Sequence, residues 1–136
     1  NLKEMMKLSV PVIVLIIGEG ASGGALGIAV GNTIGMLQNA WYSVISPEGC
    51  AAILWKDAAR SAQAADALKL RASDLLDLKV IDEIVPVGGA LWDIPQTMAS
   101  VLQFIAKALK QLNSLTPGQL QMQRYQKFRN LGPFSE

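Results

Sequence analysis

The chain has 136 residues, 51% of them hydrophobic, with 12 Lys and Arg against 11 Asp and Glu. That is enough for one compact domain with a real core, and a net charge of +1 without a long basic run gives no electrostatic reason to expect a nucleic acid partner. Mean hydropathy is +0.30, yet the longest apolar run, Val10 to Ile17, is too short to span a bilayer, and no signal peptide is evident.

Taken in order, Leu2, Met5, Met6 and Leu8 recur at helical spacing, and Pro11 must lie beyond that helix. The start at Asn1, inside a helical pattern and without an initiator Met, reads as a piece of a larger protein. Val10 to Ile17 is apolar and β-branched throughout, the pattern of a strand buried on both faces. A glycine-rich corner, Gly18 to Ala25, follows, and Gly24 to Val30 reads as a short helix of small residues stopped at Gly31-Asn32. Thr33 to Leu37 predicts a strand, Gln38 to Ala40 a turn, and Trp41 to Ile45 a further strand. Ser46, Pro47 and Glu48 supply a cap, a first-position proline and a first-turn acid for a helix to about Lys56. Ala58 to Leu70 reads as helix, and Ser73-Asp74 as the cap of another ending at Leu78. Val80 to Pro86 is a last strand, closed by the Gly88-Gly89 turn. Met98, Val101, Leu102, Ile105, Leu109 and Leu112 mark one face of a long amphipathic helix from Asp93 to Leu112. Residues 1–112 thus form one α/β domain, because strands alternate with helices. Residues 113–136 form a polar, basic C-terminal tail that can be helical.

The corner carries the chemistry. Glycines let the backbone turn sharply and let another molecule approach the main chain, and the first N–H groups of a helix lack intrahelical partners. Four readings compete. Gly18-x-Gly20-x-x-Gly23 after a strand fits a dinucleotide site, but no Asp or Glu stands between Leu37 and Tyr42 to hold a ribose hydroxyl. Ser22 on a sharp turn could be a nucleophile, but a chain without histidine cannot form a Ser–His pair, so the base would be Lys or come from elsewhere. The N–H groups of Gly23 and Gly24 could instead form an oxyanion hole with no attacking side chain. Lastly, the glycines could serve only tight strand–helix packing.

Other candidates take plainer readings. The absence of His and the single Cys50 argue against zinc, rule out an internal disulfide and fit a reducing compartment. Cys50 reads as core, Glu19 as a local cap or turn anchor, and Trp41, Tyr42 and Trp55 as packing or interface residues. Lys56 and Arg60 read as solvated charge, with contact to a phosphate-bearing ligand as the alternative. Arg124, Lys127 and Arg129 belong to a solvated or docking tail.

Val10 to Leu26, followed by Tyr42-Ser43-Val44-Ile45-Ser46-Pro47-Glu48-Gly49-Cys50-Ala51-Ala52-Ile53-Leu54-Trp55-Lys56, resembles the carboxyltransferase alpha subunit of bacterial and plastid acetyl-CoA carboxylase. Val80 to Pro86 resembles the closing strand of the wider crotonase and Clp-protease superfamily. The resemblance is good from Asn1 to about Val87 and looser beyond. It implies the C-terminal portion of a crotonase-like spiral of β-β-α units. One departure is Gly88-Gly89-Ala90-Leu91, where the family usually has Gly-Gly-Ala-His, so no role of that histidine carries over.

The resemblance further implies transfer of a carboxyl group from carboxybiotin to acetyl-CoA, giving malonyl-CoA, in the cytoplasm of bacteria or the plastid stroma. Gly23 and Gly24 match the Gly-Gly pair whose N–H groups stabilise an enolate-like anion, with Gly20, Ala21 and Ser22 beside the substrate. Biotin arrives on its carboxyl carrier protein, the coenzyme A thioester is the second substrate, and a beta subunit completes a hetero-oligomer. The rival activity is a Clp-like or signal-peptide-peptidase-like serine hydrolase using Ser22.

Overall fold

The computed structural model describes residues 1–89 and 93–132. Two parallel sheets form its centre. Strands β1 (Ile13–Ile16), β3 (Thr33–Leu37) and β5 (Glu83–Val85) make one sheet in the order β1-β3-β5, and the short β2 (Glu19–Ala21) pairs with β4 (Trp41–Ser43) in a second. Each long strand is followed by a short one and then by helix: β1, β2 and α2 (Ser22–Ile28), then β3, β4 and α3 (Pro47–Trp55). This is a spiral of β-β-α units, with successive units adding one strand to each sheet. Met36 is fully buried in the core between the first sheet and the helices, among Val14, Ile34, Ile81 and Leu75.

Helix α1 (Leu2–Met6) lies where the spacing predicts it. The first strand is shorter than the apolar run. Val10 and Ile17 are 54% and 72% exposed, and only Val14 within β1 is buried. Two causes are visible: Pro11 has no N–H to donate to a ladder, and β1 stands at the edge of its sheet rather than in the middle. The stretch Glu19–Ala21, expected as a turn, is instead a strand in register with Trp41, Tyr42 and Ser43. The following helix begins at Ser22, two residues earlier than Gly24, and ends at Ile28 rather than Val30.

β3 has the bounds its sequence predicts, whereas β4 stops at Ser43, two residues before Ile45. α3 begins as expected, with Ser46 Oγ accepting the Gly49 amide at 3.2 Å and Pro47 in the first turn. Ala58 to Leu70 divides into a 3-10 turn over Ala58–Arg60, capped by Asp57, and α4 (Ser61–Leu68). α5 (Ala72–Asp77) opens before Ser73, because Arg71 is already extended as its cap and its carbonyl accepts the Leu75 amide at 3.0 Å. The predicted Ser73-Asp74 cap therefore falls inside the helix. β5 is confined to Glu83–Val85, since the Val80 and Ile81 amides turn back to the Leu75 carbonyl. Ala90 and Leu91, where the family histidine is missing, lie outside the described residues.

Asp93 caps the long helix α6 (Ile94–Leu112) through the Gln96 amide at 3.1 Å. Its inward face is only partly the predicted one: Leu112 is buried and Val101 and Ile105 half-buried as expected, but Phe104 and Ala108 are buried as well, while Met98, Leu102 and Leu109 are exposed. Gly35 decides this. A Cβ there would lie 2.5 Å from Phe104 Cζ, so the ring occupies the space that the missing side chain leaves in β3. Residues after 112 are mostly helical as well: Thr116 and Gln119 form a capping box opening α7 (Pro117–Arg129).

Two of the basic residues of α7, Arg124 and Lys127, are not solvated surface charge. Arg124 is 0% exposed. Its Nη1 donates to the carbonyls of Met5, Met6 and Leu8 at 2.8, 3.3 and 3.0 Å, and its Nη2 to Val10 O at 3.0 Å and Asn32 Oδ1 at 2.7 Å. Burial pulls the guanidinium below its ordinary value, but a group that starts so high stays charged at neutral pH. Lys127 forms an ion pair with Asp82, whose carboxylate also accepts the Ile34 amide at 2.7 Å. α7 is thereby locked to the first sheet and to the entry of β1.

Candidate functional site

The corner between β2 and α2 forms because Ala21 is still extended (φ −137°) and Ser22 turns the chain with φ +63°. A positive φ at a non-glycine residue is strained by about 1–2 kcal/mol, and it points the next peptides along the helix axis. Gly23 and Gly24 then occupy the first turn, so their N–H groups come before the first intrahelical donor, and no side-chain cap serves them. Both are exposed. A Cβ built at Gly18, Gly23, Gly24 or Gly27 would meet no atom within 4 Å. Internal packing therefore does not account for glycine at those four positions.

Gly20 is different. Its Cβ would lie 3.0 Å from Cδ2 of Tyr42, its partner in the β2–β4 register. The Tyr42 hydroxyl in turn donates to the Ala25 carbonyl at 3.2 Å, and burial pushes that hydroxyl's pKa up, so it remains a donor at neutral pH. Beside the corner lies a cleft of about 310 Å³, bounded by Leu15, Ile17, Gly18, Gly20, Ala25 and Tyr42 among others. Its walls are largely apolar, which strengthens any electrostatic contact made at its rim.

The five residues singled out in the sequence, Gly20, Ala21, Ser22, Gly23 and Gly24, are thus consecutive around one turn. Ser22 is exposed, and among the described residues no hydrogen bond joins it to a side chain able to take its proton. The geometry of a nucleophile with its base is absent there. Glu19 does not act as a cap: it opens β2, is exposed and, among the described residues, makes no hydrogen bond through its carboxylate. Cys50 is buried with Ala51 and Ala64, and Trp55 packs on that cluster with the Arg60 guanidinium 4.6 Å from its ring centroid. The sequence by itself reads Tyr42 as a packing or interface residue. Its pairing with Gly20 depends on β2 being a strand, which a glycine-rich run does not announce.

The two-sheet spiral of β-β-α units is the crotonase fold. The crystal structure of transcarboxylase 12S with methylmalonyl-coenzyme A and methylmalonic acid bound superposes on 83% of this chain and 22% of its own, with a TM-score of 0.68 at 15% identity. At that identity the likeness speaks for the fold alone. The family model described as acetyl co-enzyme A carboxylase carboxyltransferase-like matches residues 1–132, and the chain belongs to that family. It is similar to the acetyl-coenzyme A carboxylase carboxyl transferase subunit alpha of Protochlamydia amoebophila, 55% identical over 100% of this chain and 44% of that protein. The subunit of the same name from Geobacter metallireducens is 58% identical over 100% of this chain and 43% of its own length. The chain spans less than half the length of these relatives.

Proposed function

We propose that the chain belongs to the alpha part of an acetyl-CoA carboxylase carboxyltransferase, which moves a carboxyl group from carboxybiotin to the α-carbon of acetyl-CoA. The observation that carries this reading is the pair of exposed, uncapped glycines, Gly23 and Gly24, in a family described as carboxyltransferase-like. The transfer puts negative charge on an oxygen of each reactant. Fixed N–H donors aimed at such an oxygen stabilise it with little reorganisation, and they need no titrating side chain. Because nothing stands where a Cβ would be, a planar group can approach the main chain of Gly23 and Gly24 closely. Gly20, Ala21 and Ser22 form the adjoining edge of that approach.

On this reading biotin is delivered by a carboxyl carrier protein, a beta subunit provides the remaining part of the site, and the working form is a hetero-oligomer in the bacterial cytoplasm or plastid stroma. Relatives named as an alpha subunit support the need for a second kind of subunit. The test is reconstitution with a beta subunit. Malonyl-CoA decarboxylation that requires both chains and is stimulated by free biotin is the expected result. Labelling of Ser22 by a fluorophosphonate, with no such decarboxylation, would replace this reading by a serine hydrolase.

A further inference from the structure

The helix that carries the two glycines has little to hold it in place. α2 has seven residues, three of them glycine, and contains no buried residue and no side-chain cap. Isolated helices of that length are marginal, and each interior glycine weakens them further. Some group outside α2 has to fix its first turn.

We infer that Tyr42 is a positioning residue for the Gly23 and Gly24 donors, an inference that rests on the carboxyltransferase reading above. Three contacts converge on this residue. Its backbone pairs with Gly20 in the β2–β4 ladder. Its ring lies so close over Gly20 that a Cβ there would be 3.0 Å away. Its hydroxyl donates at 3.2 Å to the carbonyl of Ala25, the residue directly after Gly24, and that carbonyl also accepts the Ala29 amide at 3.1 Å. One rigid aromatic thus spans the corner, with the strand before it under the ring and the helix after it tied to the hydroxyl. The Ala25 carbonyl, one residue beyond Gly24, is thereby held from two sides, which restrains the first turn that carries the Gly23 and Gly24 N–H groups. Gly20 is required so that the ring can lie flat enough to reach.

The test uses Tyr42→Phe and Gly20→Ala in the assembled enzyme. Removing the hydroxyl preserves the packing and should lower kcat about tenfold, less than the loss of a whole oxyanion donor, with KM for the CoA thioester unchanged. Melting should shift by no more than a few degrees. Amide hydrogen exchange should accelerate in a peptide covering residues 22–28 and stay constant elsewhere. Gly20→Ala, which pushes the ring away, should reproduce both effects. Parental kcat and exchange in Tyr42→Phe, alongside a crippled Gly24→Val, would overturn the role of Tyr42 and leave the oxyanion reading intact. Parental kcat in Gly24→Val as well would overturn the reading on which it rests. A large fall in Tm with unchanged kcat would show a packing role only.

Discussion

The Arg124 guanidinium donates to Asn32 Oδ1 across 2.7 Å, and the same oxygen accepts the Val12 amide at 3.1 Å. The Asn32 amide completes the junction by donating to Leu120 O and Gln123 Oε1 at 2.9 and 2.8 Å. One buried polar junction therefore ties α7 to the entry of β1 and to the segment between α2 and β3. Arg124→Met would leave buried carbonyls without donors, and should destabilise the chain by about 3 kcal/mol or more in chemical denaturation. Arg124→Lys should recover only part of that, because a single ammonium cannot fork between acceptors at both ends. A loss below about 1 kcal/mol in Arg124→Met would contradict the role assigned to this junction.

Gly35→Ala places a methyl group 2.5 Å from Phe104 Cζ. The clash should cost about 1–3 kcal/mol. Phe104→Leu should cost stability in the parent yet relieve Gly35→Ala, so a double-mutant cycle by thermal denaturation should give a coupling of opposite sign to the two single losses. Additive losses would mean that the two residues do not share that space.

Ser22 needs its backbone more than its hydroxyl. Ser22→Ala should keep most of the transferase activity, since no base is hydrogen-bonded to the side chain. Ser22→Gly should hold activity and raise stability slightly, because φ +63° is unstrained for glycine. Loss of activity in a normally assembled Ser22→Ala would revive the nucleophile.

Lys69 ends α4 in the left-handed region, with φ +53°. Lys69→Gly should stabilise by about 0.5–1 kcal/mol, the αL relief being partly offset by the greater freedom of glycine in the unfolded chain. Urea denaturation midpoints of the two proteins measure this directly.

The sequence was most readable where a side chain signals its own backbone. Ser46 and Pro47 mark the start of α3, Asp93 marks that of α6, and the β-branched and apolar run Thr33–Leu37 forms β3 with the predicted bounds. It was least readable where the partner is remote. Nothing in Glu19-Gly20-Ala21 favours a strand, and the ladder exists because Trp41, Tyr42 and Ser43 lie alongside. The inward face of α6 follows from a glycine about 70 positions earlier in the chain, and two adjacent faces of that helix both satisfy a three-to-four spacing. Arg124 looked like one more surface cation, because local sequence contains no sign of the carbonyls of Met5, Leu8 and Val10 that receive it. At the candidate site the consecutive glycines could be seen, whereas the contacts of Tyr42 with Gly20 and Ala25 could not.

The most direct measurement is kcat of Gly24→Val in the reconstituted enzyme, taken together with its melting temperature. A β-branched residue in a first turn costs well under about 1 kcal/mol by propensity, and the space around Gly24 is open within the chain, so the variant should fold and assemble. The account predicts a fall in kcat of about a hundredfold or more, the size seen when one oxyanion donor is lost, with Tm within a few degrees of the parent. Turnover close to the parental rate in a folded, assembled Gly24→Val enzyme would contradict the assignment of Gly23 and Gly24 as oxyanion donors.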